Sequence, residues 1–203
     1  MKKIISLILL LTLAMTLASC DLLMGGQKDE GGASYGLITS GDKSYFVTPN
    51  GTVEISGGVA KVVASAPEGT VESKKFAAPE TSTAIFETKA FGSGVTITGV
   101  AGADVVMIPK TIDGKAVLGI EAGALNGVKS VIIATPGAAI TVKDGAFKGV
   151  TNVYIATVAD NLLVGKTLLN DAGGVNIFVS ADELSNFKVH YNWSTFASNL
   201  KKF

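Results

Sequence analysis

Few residues in this 203-residue chain combine the types and spacing that catalysis requires. The segment VGKT at 164–167 ends like the phosphate-binding loop G-x-x-x-x-G-K-[ST], but Asp160 occupies the place of the first glycine. The GSG at 92–94 is not followed by the third glycine of a dinucleotide-binding loop, because position 97 is Ile97. The only histidine, His190, lies among residues of a predicted terminal cap and is better explained as a cap or surface residue. We therefore expect no enzyme, no metal and no cofactor.

The single cysteine, Cys20, is the residue with the clearest chemistry. It follows a positively charged start and a largely apolar run at 4–18, which is shorter than the roughly 20 residues of a bilayer-spanning helix. The ending LASC at 17–20 resembles the lipobox of bacterial lipoproteins. The resemblance implies that 1–19 is a removed signal peptide and that acyl chains on Cys20 anchor the protein to a membrane. The alternative is a secretory signal with a chance cysteine.

The amino-acid composition argues against nucleic-acid binding and favours β-structure. The 17 basic residues balance 17 acidic ones, and all of the basic residues are lysines. Nucleic-acid recognition depends on arginine and on basic excess, so we expect no nucleic-acid partner. The 24 glycines indicate many tight bends and favour β-structure with short turns. With one cysteine, the chain forms no internal disulfide.

The mature chain divides into segments of different character. Residues 20–34 are rich in glycine and polar residues, which predicts a flexible tether. Residues 35–66 read as a short antiparallel β segment, with a hairpin at the PNG of 49–51 and positive φ expected at both central residues. Residues 67–82 carry two prolines and several charges and predict a linker, followed by a repeat domain at 83–203. The alternative is that 35–82 forms one continuous domain with the repeats.

The repeat domain is predicted from a period of 22 residues. IEAGALNGVKSVII at 120–133 and VKDGAFKGVTNVYI at 142–155 are near copies, and a third, degenerate copy lies at 162–179. Such a period is typical of a solenoid. Each coil contributes a strand with alternating inward residues. The predicted inward pairs are Val131 and Ile133, Val153 and Ile155, and Val175 and Ile177. A second, shorter strand of each coil is predicted at the triplets 118–120, 140–142 and 162–164. The turns between the two strands are expected to point Leu125, Phe147 and Leu169 into the stack.

The segment 95–128, together with DGAFKGV and VYI further on, resembles the BspA-type leucine-rich repeat family, with its IP…I-x-G-x-x-V-x-x-I-x-x-x-A-F pattern. The resemblance covers about 94–203. It implies a mainly β fold: a short leucine-rich-repeat solenoid of about three 22-residue coils with parallel strands, preceded by the small β-rich segment. The ending resembles the helical cap of such domains, with a capping box at Ser180 and Glu183. Its helix-spaced apolar residues are Leu184, Phe187, Tyr191, Trp193, Phe196 and Leu200.

Strand alternation also predicts a binding surface. If Val153 and Ile155 point inward, their neighbours point to the other face, where exposed apolar groups would mark an interaction site. We expect Tyr154 at the centre of this surface. Its candidate ligand-binding residues are Ser130, Ile132, Asn152, Tyr154, Asn176 and Phe178. The alternative is that the N-terminal segment or the anchor geometry covers this face.

These observations favour a lipid-anchored, exported and non-catalytic protein-binding or adhesion module. We expect it in the bacterial cell envelope, on the periplasmic face or at the cell surface, with the family resemblance implying a protein partner from a host or from the envelope itself. The alternative is a structural or envelope-maintenance lipoprotein with no soluble ligand.

Overall fold

The computed structural model describes residues 35–169 and 174–203. The predicted signal peptide, Cys20 and the tether at 20–34 lie outside the described residues. The described part consists of three β-sheets with one short α-helix and two 3-10 turns. None of its helices has the length and hydropathy needed to cross a membrane.

The N-terminal sheet is an antiparallel meander with one added strand. Its strands are β1 (Gly36–Ser40), β2 (Lys43–Thr48), β3 (Gly51–Ser56), β4 (Val59–Val63) and β5 (Thr81–Ser82), of which β5 pairs parallel to β4. Two-residue loops connect β1 to β2, β2 to β3 and β3 to β4. In the last of these, Gly57 and Gly58 both have positive φ, as a tight hairpin with this twist requires.

The predicted hairpin at 49–51 is confirmed, but its turn differs from the expected one. Thr48 pairs with Gly51, so Pro49 and Asn50 form the corner, and Asn50 does not adopt positive φ. Proline prefers the first corner position because its ring fixes φ near −65°. The Thr48 hydroxyl accepts from the Asn50 amide at 3.2 Å and donates to the Gly51 carbonyl at 2.8 Å.

The predicted linker at 67–82 is bound along much of its length rather than free. Its part from 72 to 82, here called the strap, exchanges backbone hydrogen bonds with Leu37 at 3.0 and 2.8 Å. Phe76 then exchanges bonds with the solenoid, donating to the Ala156 carbonyl and accepting from Thr135. The strap ends in β5, so these bonds join it both to the N-terminal sheet and to the repeats.

The repeats form a solenoid with two sheets. Its strands are β6 (Ile85–Phe91), β7 (Gly94–Ala101), β8 (Val105–Met107), β9 (Thr111–Ile112), β10 (Lys115–Ile120), β11 (Ser130–Ala134), β12 (Ile140–Val142), β13 (Asn152–Ala156), β14 (Leu162–Val164), β15 (Asn176–Val179) and β16 (Leu200–Lys202). The main sheet has the order β8-β11-β13-β15-β16 and is parallel throughout. The side sheet has the order β14-β12-β10-β7-β6, in which only β6 pairs antiparallel with its neighbour, and β9 pairs antiparallel with β10.

The predicted solenoid and its period are confirmed for the central coils. Ser130 pairs with Asn152 and Ile140 with Leu162, each 22 residues along the chain. The interior holds the alternating apolar side chains, and Leu125 and Phe147 are completely buried there. Parallel stacking lets each coil bury the apolar side of its neighbour, which no coil could do alone.

The predicted register of the last copy is wrong by two residues. Val153 pairs with Ile177 rather than with Val175, because the connection from β14 to β15 is two residues longer than its counterparts. A slip of two keeps every side chain on its predicted face, since side chains alternate with a period of two. In the turn of this copy Leu168 is fully buried, whereas Leu169, the predicted inward residue, is only partly buried.

The C-terminal segment contains little regular helix. Helix α1 spans Leu184–Val189, and a 3-10 turn spans Ser194–Phe196. Phe187 and Trp193 are buried in the solenoid core, as expected, but Tyr191 is 72% exposed. The predicted capping box is absent, because the Ser180 hydroxyl has no hydrogen-bond partner and Glu183 itself is the N-cap residue.

Candidate binding surface

The predicted outward column exists and lies in register on the main sheet. Ile132, Tyr154 and Phe178 are opposite one another on β11, β13 and β15, on the face that points away from the solenoid core. The rings of Tyr154 and Phe178 stack at 5.1 Å with an interplanar angle of 11°. The neighbour of Tyr154 on β15 is thus Phe178, not Asn176 as the 22-residue offset predicted.

The expected exposure of this column is wrong, because the N-terminal sheet covers it. Leu37, Phe46 and Val53 are paired across β1, β2 and β3, so they share one face, and this face packs on the column. Tyr154 is 0% exposed as a result. Two sheets that each carry an apolar face stabilise one another by removing both faces from water. The N-terminal segment therefore covers the face, as the alternative reading proposed.

Aromatic rings fill the space between the two sheets. The Phe46 ring lies 5.5 Å from Tyr154 and 5.3 Å from Phe203, both in edge-to-face geometry. The strap contributes Phe76, at 5.7 Å from Phe46, and Tyr35 lies 5.8 Å from Tyr154. Such pairs contribute roughly 0.5–1.5 kcal/mol each beyond the burial of their area. This cluster is a second core, which lies between the N-terminal sheet and the outer face of the main sheet and is separate from the solenoid interior.

The three polar residues of the predicted surface form a ladder along one end of the same interface. Ser130, Asn152 and Asn176 occupy equivalent positions on successive strands. The Asn50 side chain, at the corner between β2 and β3, accepts from the Ser130 hydroxyl at 2.8 Å and from the Asn152 amide at 3.4 Å. Asn176 donates to Asn152 at 3.3 Å and accepts from Lys201. Ser130 and Asn152 thus join the main sheet to the N-terminal sheet through Asn50, whereas the bonds of Asn176 stay within the solenoid.

Tyr154 carries the one chemical anomaly of this interface. Its hydroxyl is buried without a hydrogen-bond partner, and burial, helped by the nearby Tyr35, raises the pKa of the Tyr154 phenol far above its usual value. A buried polar group that has lost its water without a replacement costs roughly 1–3 kcal/mol. Five of the six predicted binding residues are therefore buried at this interface, and a soluble partner reaches them only if the N-terminal sheet moves away, whereas Asn176 is half-buried.

Two of the exposed apolar groups, Val62 and Ile85, lie near the start of the solenoid, whereas others, such as Leu163 and Val189, lie elsewhere. A cleft of about 240 Å³ opens between β4 of the N-terminal sheet and the β6–β7 hairpin. Val62 and Ile85 line it and are 52% and 69% exposed. A second cleft of about 480 Å³ lies on the other side of Ile85 and extends to Ile112. Repeat analysis missed this surface because Val62 and Ile85 lie outside the repeats.

The motifs with catalytic features have structural roles. VGKT ends β14 and begins the next turn, where the Thr167 hydroxyl donates to Asp144 of the preceding coil. A side chain at Gly165 would collide with the same carboxylate. His190 lies 2.9 Å from Asp160 through Nε2 and accepts from the Asn192 amide through Nδ1, a pairing that the sequence did not predict.

Neither a metal-binding group in the described residues nor the comparison with known proteins assigns a function to the chain. Within residues 35–169 and 174–203, no three histidine, cysteine or acidic side chains are grouped so as to hold a metal ion. No protein-family model, curated protein or solved structure has a significant match to the chain.

Proposed function

We propose that this protein is an exported, lipid-anchored and non-catalytic protein-binding module of the bacterial cell envelope. In this proposal Cys20 carries the acyl chains and 1–19 is removed. Residues 83–203 form a BspA-type leucine-rich repeat domain of about three full coils, with a cap over its last coil. The proposal rests on the lipobox-like LASC and the repeat pattern, together with the solenoid form of the described residues.

One observation supports protein binding most directly. Val62 and Ile85 expose apolar side chains on either side of a cleft, although the chain buries the apolar residues on both faces of its main sheet. Exposed apolar groups that line a concave surface are typical of interaction sites. The binding surface proposed here is therefore this cleft, not the covered column around Tyr154.

Site-specific photocrosslinking in intact cells tests the proposal. A photoreactive residue at Val62 is expected to form a defined adduct with another protein. The matched control is Val189, which is 80% exposed on α1 at the opposite end of the solenoid, and it is expected to form none. A Val62→Glu variant is expected to lose the partner, and Val189→Glu to keep it. Equal labelling at both positions, or none at either, contradicts a binding surface at the cleft.

A second candidate is a structural envelope lipoprotein with no soluble ligand. It is favoured by the covered main sheet, because the face that solenoids use for recognition is occupied by the chain's own N-terminal sheet. Protease treatment of intact cells separates the two. An adhesin is cleaved from outside, whereas a protein that maintains the envelope from the periplasmic face is protected until the cells are opened.

A further inference from the structure

Strand β6 is a free sheet edge. It is the terminal strand of the side sheet, and its only strand partner in the described part of the chain is β7. No backbone hydrogen bond beyond that ladder involves residues 85–91 in the described chain. The strand is seven residues long and contains no proline. An edge of this length presents a row of backbone donors and acceptors to which another strand can pair.

The outward side chains of β6 follow a symmetric order. Ile85, Glu87, Lys89 and Phe91 alternate along the strand on one face, and all four are exposed. Lys89 lies 3.3 Å from Glu121, whereas Glu87 makes no ion pair among the described residues. Read from either end, the face presents an apolar group, a charge, the opposite charge and an apolar group.

We propose that β6 binds the β6 strand of a second copy of this chain, antiparallel and centred on Thr88. In this register each Glu87 lies opposite Lys89 of the other copy, and each Ile85 lies opposite Phe91. The inner face pairs Phe86 with Ala90. Directly opposed residues on one face of an antiparallel pair stabilise it when they carry opposite charges or bury apolar groups. The contact is self-complementary about a two-fold axis, as a closed dimer requires.

The charges also exclude the neighbouring registers. If the axis moves to Glu87, two glutamates lie directly opposite each other and Lys89 faces Ile85. If it moves to Lys89, two lysines lie opposite each other and Glu87 faces Phe91. Like charges directly opposite each other are destabilising. Charged residues on an edge strand normally discourage indiscriminate pairing, and here the same charges leave one register for a second copy.

This inference goes beyond the proposed function, because it names a second copy of the chain as the partner of a strand that contributes only Ile85 to the cleft between β4 and the β6–β7 hairpin. Val62 lies on β4 and is not part of the strand pair, so a Val62 variant tests the cleft and the β6 charges test the dimer. A contact through one strand pair is small by the standard of stable interfaces, so we expect a weak dimer with a dissociation constant on the order of 10–100 µM.

Sedimentation velocity over a range of concentrations tests the dimer. The sample is the chain from residue 20 onward with Cys20→Ser, which contains no cysteine and no acyl chain. Glu87→Lys alone and Lys89→Glu alone are each expected to weaken association about tenfold or more, because both opposed pairs become like-charged. The double variant restores opposite charges and is expected to associate within about threefold of the parent.

Disulfide trapping locates the axis in the same background. Thr88→Cys places two thiols directly opposite each other, at a Cα separation of about 4.5–5.5 Å that a disulfide can bridge. The matched control is Ser93→Cys in the β6–β7 turn, where the two copies of the residue lie about 34 Å apart. Mild oxidation is expected to link the first variant and not the second.

Any one of the following results would overturn the inference. They are a parent chain that stays monomeric up to about 1 mM, a double variant as weak as the single ones, and equal crosslinking at both cysteine positions. A dimer indifferent to all the charge variants lies elsewhere on the molecule and overturns it as well.

Discussion

Replacing Tyr154 tests whether the outer face of the main sheet is exposed to solvent or covered by the N-terminal sheet. A Tyr154→Ala variant would change stability little if the ring faced solvent. The structure places the ring between the two sheets at 0% exposure, in contact with Phe46 and Phe178. Removing a buried aromatic side chain costs roughly 3–5 kcal/mol, a large part of the roughly 5–15 kcal/mol that stabilises a typical domain. We expect the alanine variant to be destabilised within that range.

Tyr154→Phe should change the free energy of unfolding in the opposite direction and stabilise the protein. It keeps the stacked ring and removes only the hydroxyl, which has no partner in the folded protein. The folded chain then no longer bears the cost of an unpaired buried group, so we expect a gain of about 1 kcal/mol. The predicted order of stability is the phenylalanine variant first, then the parent, then the alanine variant.

The stability difference between Tyr154→Phe and the parent should also depend on pH. Burial raises the pKa of Tyr154 in the folded state, so the folded chain keeps the phenol neutral while the unfolded chain ionises near pH 10. Below about pH 10 the phenol is neutral in both states and the free energy of unfolding does not depend on its titration. As the pH rises above about 10, ionisation in the unfolded chain alone lowers the free energy of unfolding. The advantage of Tyr154→Phe over the parent should therefore widen above pH 10, by up to about 1.4 kcal/mol per pH unit.

Urea unfolding gives the measurement. Trp193 is the only tryptophan and is buried in the solenoid core, so its fluorescence reports unfolding alongside circular dichroism. Tyr191→Phe and Tyr191→Ala are the matched controls, because Tyr191 is 72% exposed, and both should stay within about 0.5 kcal/mol of the parent. An alanine variant at Tyr154 within about 1 kcal/mol of the parent, or an advantage of the phenylalanine variant that is constant from pH 8 to 11, would refute the packing of the two sheets around this hydroxyl.

Three further outcomes are expected. Cys20→Ala should move the protein out of the membrane fraction once unprocessed precursor is excluded, and continued membrane association of processed chain would contradict lipidation. Lys75→Ala should lower the urea midpoint more than Lys74→Ala, because Lys75 pairs with the buried carboxylate of Glu183 whereas the Lys74 ion pair is exposed, and equal midpoints would contradict that role. The fragment 83–203 should bind more of a hydrophobic dye than 35–203 does, since it lacks the sheet that covers Tyr154, and equal dye binding would mean that the face is not covered.

Local sequence patterns predicted the repeating coils of this fold and one hairpin outside them. The 22-residue period set the stacking of the central coils, and the two-residue alternation placed Val153 and Ile155 inside and Tyr154 on the other face. The hairpin at 49–51 followed from Pro, Asn and Gly in sequence. These predictions succeed because turn geometry and strand alternation depend on residues that are close together in the chain.

The long-range contacts needed the tertiary structure. Asn50 meets Ser130, and Lys75 meets Glu183, across 80 and 108 residues of chain. No local pattern encodes such a distance. The two extra residues before β15 also escaped detection, because the degenerate last copy tolerates either register by sequence alone.

The sequence alone determined that Tyr154 lies on the outer face of its strand, and only the tertiary structure decided whether that face meets water. Alternation assigns side chains to the two faces of a sheet but says nothing about what packs on either face. The N-terminal sheet carries its own apolar face at Leu37, Phe46 and Val53, and two such faces are most stable against each other. The surface predicted to bind a partner is therefore buried within the chain itself.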